Sequence, residues 1–146
     1  MRAKKITGLL LLLILAVAGV AQTKDAILGK WVNESGEGQI LIYKNGDKYF
    51  GKLAWLNEPN NKNGLPKQDA NNPKPELRNR PILGIEILQN FTYKGDRVWE
   101  DGTVYDPKNG KTYSCKISME SSDEIYIRGY VGISLLGRTE IWRRAQ

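Results

Sequence analysis

Apolar and polar residues alternate along most of this chain, in runs too short for helices and separated by turn signals. "KTYSCKISM", residues 111–119, is the clearest run. Tyr113, Cys115, Ile117 and Met119 fall on one side, and Ser114, Lys116 and Ser118 on the other. A period of two belongs to a strand with one buried face. "GQILIYKNGDKYFGKLAWLN" holds two such runs joined at Asn45-Gly46-Asp47, a strong hairpin signal. In its second run, Tyr49, Gly51, Leu53 and Trp55 are expected on one face. "FTYKGDRVW" reads as another hairpin, turning at Gly95-Asp96. "IYIRGY" points Ile125 and Ile127 inward, and "LLGRTEIWRR" supplies a last strand. With the start around "LGKWVN", about eight hairpin-linked strands result, spaced as in a closed barrel or a sandwich. Gly51, Gly102, Gly129 and Gly137 fall in or beside these runs, where glycine marks a bend, a bulge or a close approach.

The turn in "VYDPKNGKTYSCK" can be read residue by residue. Asp106 caps it, Pro107 presets φ at the first corner, and Gly110 takes the left-handed position. The turn is expected to bring Tyr105 and Tyr113 together.

Two segments break the alternation. Residues 1–21 combine a basic start at Arg2, Lys4 and Lys5 with an apolar run from Leu9 to Val20 and small residues up to Ala21. This is the layout of a signal peptide cleaved after Ala21. The run is short of the roughly 20 residues that span a bilayer. Export to a periplasm or to the outside is therefore expected, with residues 22–146 as one domain and no integral membrane segment in the mature chain. The second break is 57–81, a polar stretch rich in Pro and Asn. So long a connection is either a mobile surface loop or a lid. "PILGIEIL" follows it, and periodicity alone leaves that segment open between strand and helical turn.

Composition removes several function classes. The chain carries 22 Lys and Arg against 16 Asp and Glu, for a net charge of +6. Three of the basic residues lie in the first 21, so the mature chain carries about +3. The remaining cations are scattered among carboxylates, which is no footprint for nucleic acid. The chain has no His and a single Cys, Cys115. No internal disulfide is possible, triads built on His are excluded, and no metal site is expected. Cys115 reads as a small core residue.

The chain ends carry one further mark. "GKW" opens the mature domain at Gly29–Trp31 and "WRR" closes it at Trp142–Arg144. A Trp on the first strand can seal one end of a barrel, with an Arg of the last strand stacked on its indole. Arg144, on the same face as Trp142, is the first choice for that Arg, ahead of Arg143. A Gly-x-Trp near the start and an Arg on the last strand resemble the calycin superfamily of lipocalins and fatty-acid-binding proteins. A longer resemblance runs through "NPKPELRNRPILGIEIL", "WEDGTVYDPKNGKTYSCK" and "RGYVGISLLGRTEIWRR". From Gly29 to Arg144 the chain is similar to an exported bacterial family known as domain of unknown function 2147. The resemblance implies an all-β fold, an eight-stranded antiparallel lipocalin-like (calycin) barrel with one long Pro/Asn-rich loop. It implies no activity.

Three functions are then weighed. The first is non-catalytic binding of a small, partly apolar ligand or an envelope partner. Trp55, Trp99, Tyr105 and Tyr113 would supply contact area, and Arg80 or Arg138 would hold a head group. The plainer expectation for those aromatics is that they fill the barrel, whose interior is only just wide enough for side chains. The second is an envelope enzyme acting on lipid or glycan, with Asp106 or Glu100 as acid or base and Lys111 as stabiliser. The third is a structural interaction protein. No catalytic residue, metal or cofactor is assigned.

Overall fold

The computed structural model describes residues 23–146; the expected signal peptide lies outside the described residues. Eight antiparallel strands follow in chain order: β1 (Gly29–Val32), β2 (Gly38–Asn45), β3 (Lys48–Leu56), β4 (Glu86–Gly95), β5 (Val98–Asp106), β6 (Lys111–Ser121), β7 (Glu124–Tyr130) and β8 (Arg138–Arg144). Each pairs with its neighbours, and β8 returns to β1, closing the barrel. Closure removes the edge strands that an open sheet would expose. These are the strands among the described residues.

An up-and-down barrel places alternate connections at opposite ends. The tight turns 46–47, 96–97 and 122–123 share one end with the start of β1 and the end of β8. The longer connections, 33–37, 57–85, 107–110 and 131–137, share the other. The β4–β5 turn is centred on Asp96-Arg97, with φ of 52° and 59°, one position later than the sequence signal suggested. Gly95 is drawn into the strand, opposite Val98.

The first end is sealed. Trp31 is fully buried, and its indole N–H donates to the Ile27 carbonyl at 2.8 Å. The Arg144 guanidinium lies 4.2 Å from the Trp31 ring centroid. It donates to the carbonyls of Ala26 (2.7 Å), Leu28 (3.0 Å) and Ser122 (2.7 Å). One cation thus covers the indole and ties both chain ends to the β6–β7 turn. Above it, Tyr49, Phe91, Trp99, Ile27 and Ile125 fill the barrel with at most 2% exposure. Trp99 meets Tyr93 and Tyr49 with ring centroids 5.0 Å and 6.3 Å apart.

Bulges decide which side chains face in. Between β2 and β3 the register shifts, so that Ile40 opposes Leu53 while Gln39 opposes Trp55. The extra residue, Ala54, turns Trp55 outward, where it is 43% exposed, and turns Leu56 in against the core. The expected grouping of Trp55 with Tyr49, Gly51 and Leu53 is therefore wrong by one bulge. A second bulge lies at Asp101, whose φ is 64°. It brings Gly102 beneath Phe91, where a Cβ would sit 2.5 Å from the ring.

Replacing Arg144 by Ala removes a stacked cation and three donors, and should cost about 2–4 kcal/mol in urea unfolding. Its neighbour Arg143 bonds Glu124 at 2.6 Å on the exposed face. Arg143→Ala should cost less than about 1 kcal/mol.

Candidate ligand-binding site

Strand β8 alternates strictly, so Arg138, Glu140, Trp142 and Arg144 share the inner face. Arg144 belongs to the sealed end. The other three line a cavity of about 690 Å³ that opens at the opposite end. Its deeper wall is apolar, from Ile40, Leu53, Ile87, Ile127 and Trp142. Trp142 is buried, and its indole N–H donates to a Glu140 carboxylate oxygen at 3.1 Å. The space exists partly because Gly129 contributes no side chain. A Cβ there would approach Val104 and Tyr113 no closer than 3.5 Å. The barrel is filled in one half and hollow in the other, so the expectation of a filled interior holds only for the sealed half.

Polar groups surround the mouth. Lys108 Nζ on the β5–β6 turn meets Glu37 of the β1–β2 connection at 2.5 Å, both exposed. The Tyr113 hydroxyl accepts from Asn109 Nδ2 at 3.0 Å. Arg138 is exposed, and no carboxylate among the described residues lies within ion-pair distance of it.

The 57–85 connection builds one side of this end. Its centre is Asp69, wholly buried. Asp69 accepts from the Tyr105 hydroxyl (2.5 Å), Asn72 Nδ2 (2.8 Å), and Arg80 through Nε (3.1 Å) and a terminal nitrogen (3.0 Å). Burial by itself would raise the carboxyl pKa. The bonds from Tyr105, Asn72 and Arg80 outweigh it and hold the group below its ordinary value of 3.8. Burial and the Asp69 charge push the Tyr105 phenol up to about 12. A second tie joins this segment to the β5–β6 turn. Asn71 Nδ2 donates to the carbonyls of Pro107 (3.2 Å) and Lys108 (3.0 Å). Gly110, at φ 73°, packs so closely that a Cβ would fall 1.8 Å from the Asn71 carbonyl oxygen. The Pro/Asn-rich stretch is thus fastened to the barrel around a buried charge at Asp69, while most of its other residues lie exposed at the surface.

The family described as uncharacterized proteins conserved in bacteria, DUF2147, matches residues 29–144. The chain belongs to this family. No curated protein matches it. Among solved structures, HP1028 from Helicobacter pylori, described as belonging to the lipocalin family, superposes with a TM-score of 0.72 at 22% identity. The match covers 82% of this chain and 83% of that one. At that identity the likeness establishes a shared lipocalin-like barrel.

In this DUF2147 barrel the residues expected at a site divide. Tyr105, Tyr113 and Arg138 border the cavity; Trp55, Trp99 and Arg80 do not. Trp55 faces solvent because of its bulge. Trp99 is packed in the sealed half, and its indole N–H has no hydrogen-bond partner. Arg80 is held on Asp69. Tyr105 and Tyr113 are not brought face to face. Val104 opposes Tyr113 and Tyr105 opposes Thr112, so the two rings leave opposite faces of the sheet. The expected turn chemistry is present, with Asp106 Oδ1 accepting from the Lys108 N–H at 2.9 Å.

The carboxylates weighed for catalysis do not converge. Glu100 pairs with Lys116 at 3.5 Å outside the cavity lining, and Asp106, at the cavity border, caps its turn. Burial pushes the Cys115 thiol up to about 12, which leaves it an inert core group. Among the described residues, no three His, Cys, Asp or Glu side chains gather as metal ligands. The sequence reading missed Glu140 and Trp142 as cavity residues, although the alternation that selected Arg144 selects them too.

Asp69 titrates lower in the fold than unfolded, so its contribution to stability is complete above about pH 5. It is lost as the pH falls below 3.8 through the lowered folded value. Asp69→Asn should therefore be less stable than the parent by about 2–3 kcal/mol at neutral pH. The gap should close progressively under acid, as read by urea unfolding at a series of pH values.

Proposed function

We propose that this protein is an exported, non-catalytic carrier or sensor of a small amphipathic molecule, bound in the open half of the barrel. The observation that supports the reading is the contrast between the two halves. Aromatics and Arg144 exclude solvent from one end, while the other keeps a cavity of about 690 Å³ with an apolar wall. That volume is of the size small-molecule sites have, roughly 300–1,000 Å³. An apolar body would lie against Ile40, Ile87, Ile127 and Trp142. A carboxylate or phosphate would meet Arg138, the unpaired guanidinium at the mouth. Glu140, deeper on the same face, repels an anion and so keeps the head group at the rim. Export rests on the basic and apolar pattern of residues 1–21.

The enzyme reading is less well supported: Glu100 is paired with Lys116 outside the cavity lining, and Asp106, which borders the cavity with Glu37, Glu140 and Lys108, is engaged as the cap of its own turn. The test uses 1-anilinonaphthalene-8-sulfonate, an apolar body with one anionic group. Saturable binding with enhanced fluorescence is expected. Gly129→Phe puts a ring into the cavity and should weaken binding by about tenfold or more, with little loss of stability. Arg138→Ala should weaken it about five- to tenfold. Absence of saturable binding, or equal binding by Gly129→Phe, would contradict the proposal.

A further inference from the structure

The large hydrophobic side chains that stand exposed among the described residues all lie at the open end of the barrel. Four are in the β7–β8 connection: Val131 (74% exposed), Ile133 (57%), Leu135 (83%) and Leu136 (79%). Leu65 and Leu83 are in the 57–85 connection, and Trp55 is at the adjoining end of β3. Among the described residues, the sealed end has no such residue. Exposed apolar side chains gathered in one place mark a surface that meets something apolar.

The β7–β8 connection is built to project. Residues 131–137 read Val-Gly-Ile-Ser-Leu-Leu-Gly, without a charge. Ser134–Leu136 form a single 3-10 turn. Arg128 holds that turn from the barrel side, donating to the Ser134 carbonyl at 2.6 Å and to Thr139 Oγ1 at 2.7 Å. The leucines are thereby kept out in solvent. At the base stands Arg138, exposed and unpaired. Val131 and Leu136 also border the cavity mouth, so the projecting tip is continuous with the cavity wall.

We propose that the open end docks on a lipid bilayer, with the tip of the 131–137 connection inserted among acyl chains and Arg138 at the level of the phosphates. Three features favour lipid over other occupants. A one-turn tip offers far less than the roughly 800 Å² per partner that a stable protein contact buries, whereas shallow insertion needs only the tip. The exposed large side chains of the tip are all aliphatic, and it lacks the Trp and Tyr that carry protein interfaces. A free guanidinium beside an uncharged apolar tip complements an anionic bilayer surface. The described chain begins at the sealed end, away from this face. No helix among the described residues is long and apolar enough to cross a membrane, so the attachment would be peripheral.

The test is co-sedimentation with vesicles of phosphatidylethanolamine and phosphatidylglycerol. The chain from Gln22 onward is used; it holds all eight described strands and both sides of the Trp31–Arg144 closure, and it lacks the apolar run Leu9–Val20. The parent chain should partition onto vesicles. Leu135→Glu with Leu136→Glu, both at exposed positions, should lower the partition coefficient by about tenfold or more with unchanged circular dichroism. Arg138→Ala should weaken binding to these vesicles more than to vesicles of phosphatidylcholine alone. Gly129→Phe, which fills the cavity, should leave vesicle binding intact, so docking can stand even where small-ligand binding fails. The proposal is overturned if the parent does not partition or if the double Glu variant partitions equally. It is also overturned if Gly129→Phe abolishes binding, which would mean lipid uptake rather than docking. A dimer on size exclusion that the double variant dissolves, without vesicle binding, would assign the patch to a second copy of the chain.

Discussion

The contact between Arg144 and Trp31 closes this molecule. β1 is short, and β8 pairs with it only through Trp31–Arg144 and Val32–Arg143, with one further bond from the Ala145 N–H to the Lys30 carbonyl at 2.9 Å, so the backbone seam is thin. The guanidinium reinforces it by stacking on the indole and donating to three carbonyls from two separate parts of the chain. A cation half-buried this way would be costly without partners; here its donors and its face are both used. Because that end is sealed by one compact group, the rest of the barrel need not be filled to be closed.

What remains open follows from small residues and from a buried acid. Gly129 leaves room that a side chain would take, and aliphatic residues of β2, β3, β4 and β7 face the space. The anchoring of the 57–85 connection to the barrel depends on Asp69. A carboxylate with no solvent exposure is tolerated because Tyr105, Asn72 and Arg80 all donate to it. Asn71 then fits that segment against the β5–β6 turn, where only a glycine at position 110 leaves room. The mouth is thus framed by segments that hold one another through specific polar bonds, while the β7–β8 connection projects beside them.

The hairpins, the strand order and the pairing of Trp31 with Arg144 were legible because each depends on local pattern: period two, turn residues, and the face shared with Trp142. Trp55 was misplaced because a bulge shifts face by one residue and leaves no composition signal. Ala54 is an unremarkable residue in an alternating run. The two tyrosines were misjudged for a related reason. A four-residue turn fixes register, and register rather than proximity decides which faces they leave. Asp69 was invisible since its partners Arg80 and Tyr105 lie 11 and 36 positions away, and nothing local announces a buried carboxylate. The hollow half was not legible either. An inner face of isoleucines reads the same whether it meets side chains or space.

The central claim is that one half of the barrel is packed and the other receives a small amphipathic molecule. Isoleucine-methyl NMR during titration with 1-anilinonaphthalene-8-sulfonate tests it directly, because isoleucines sample both halves. Ile40, Ile87 and Ile127 line the cavity, while Ile27 and Ile125 lie in the sealed core. The account predicts saturable shifts at the first three and none at the other two. Shifts spread evenly over all five, or confined to none, would contradict it.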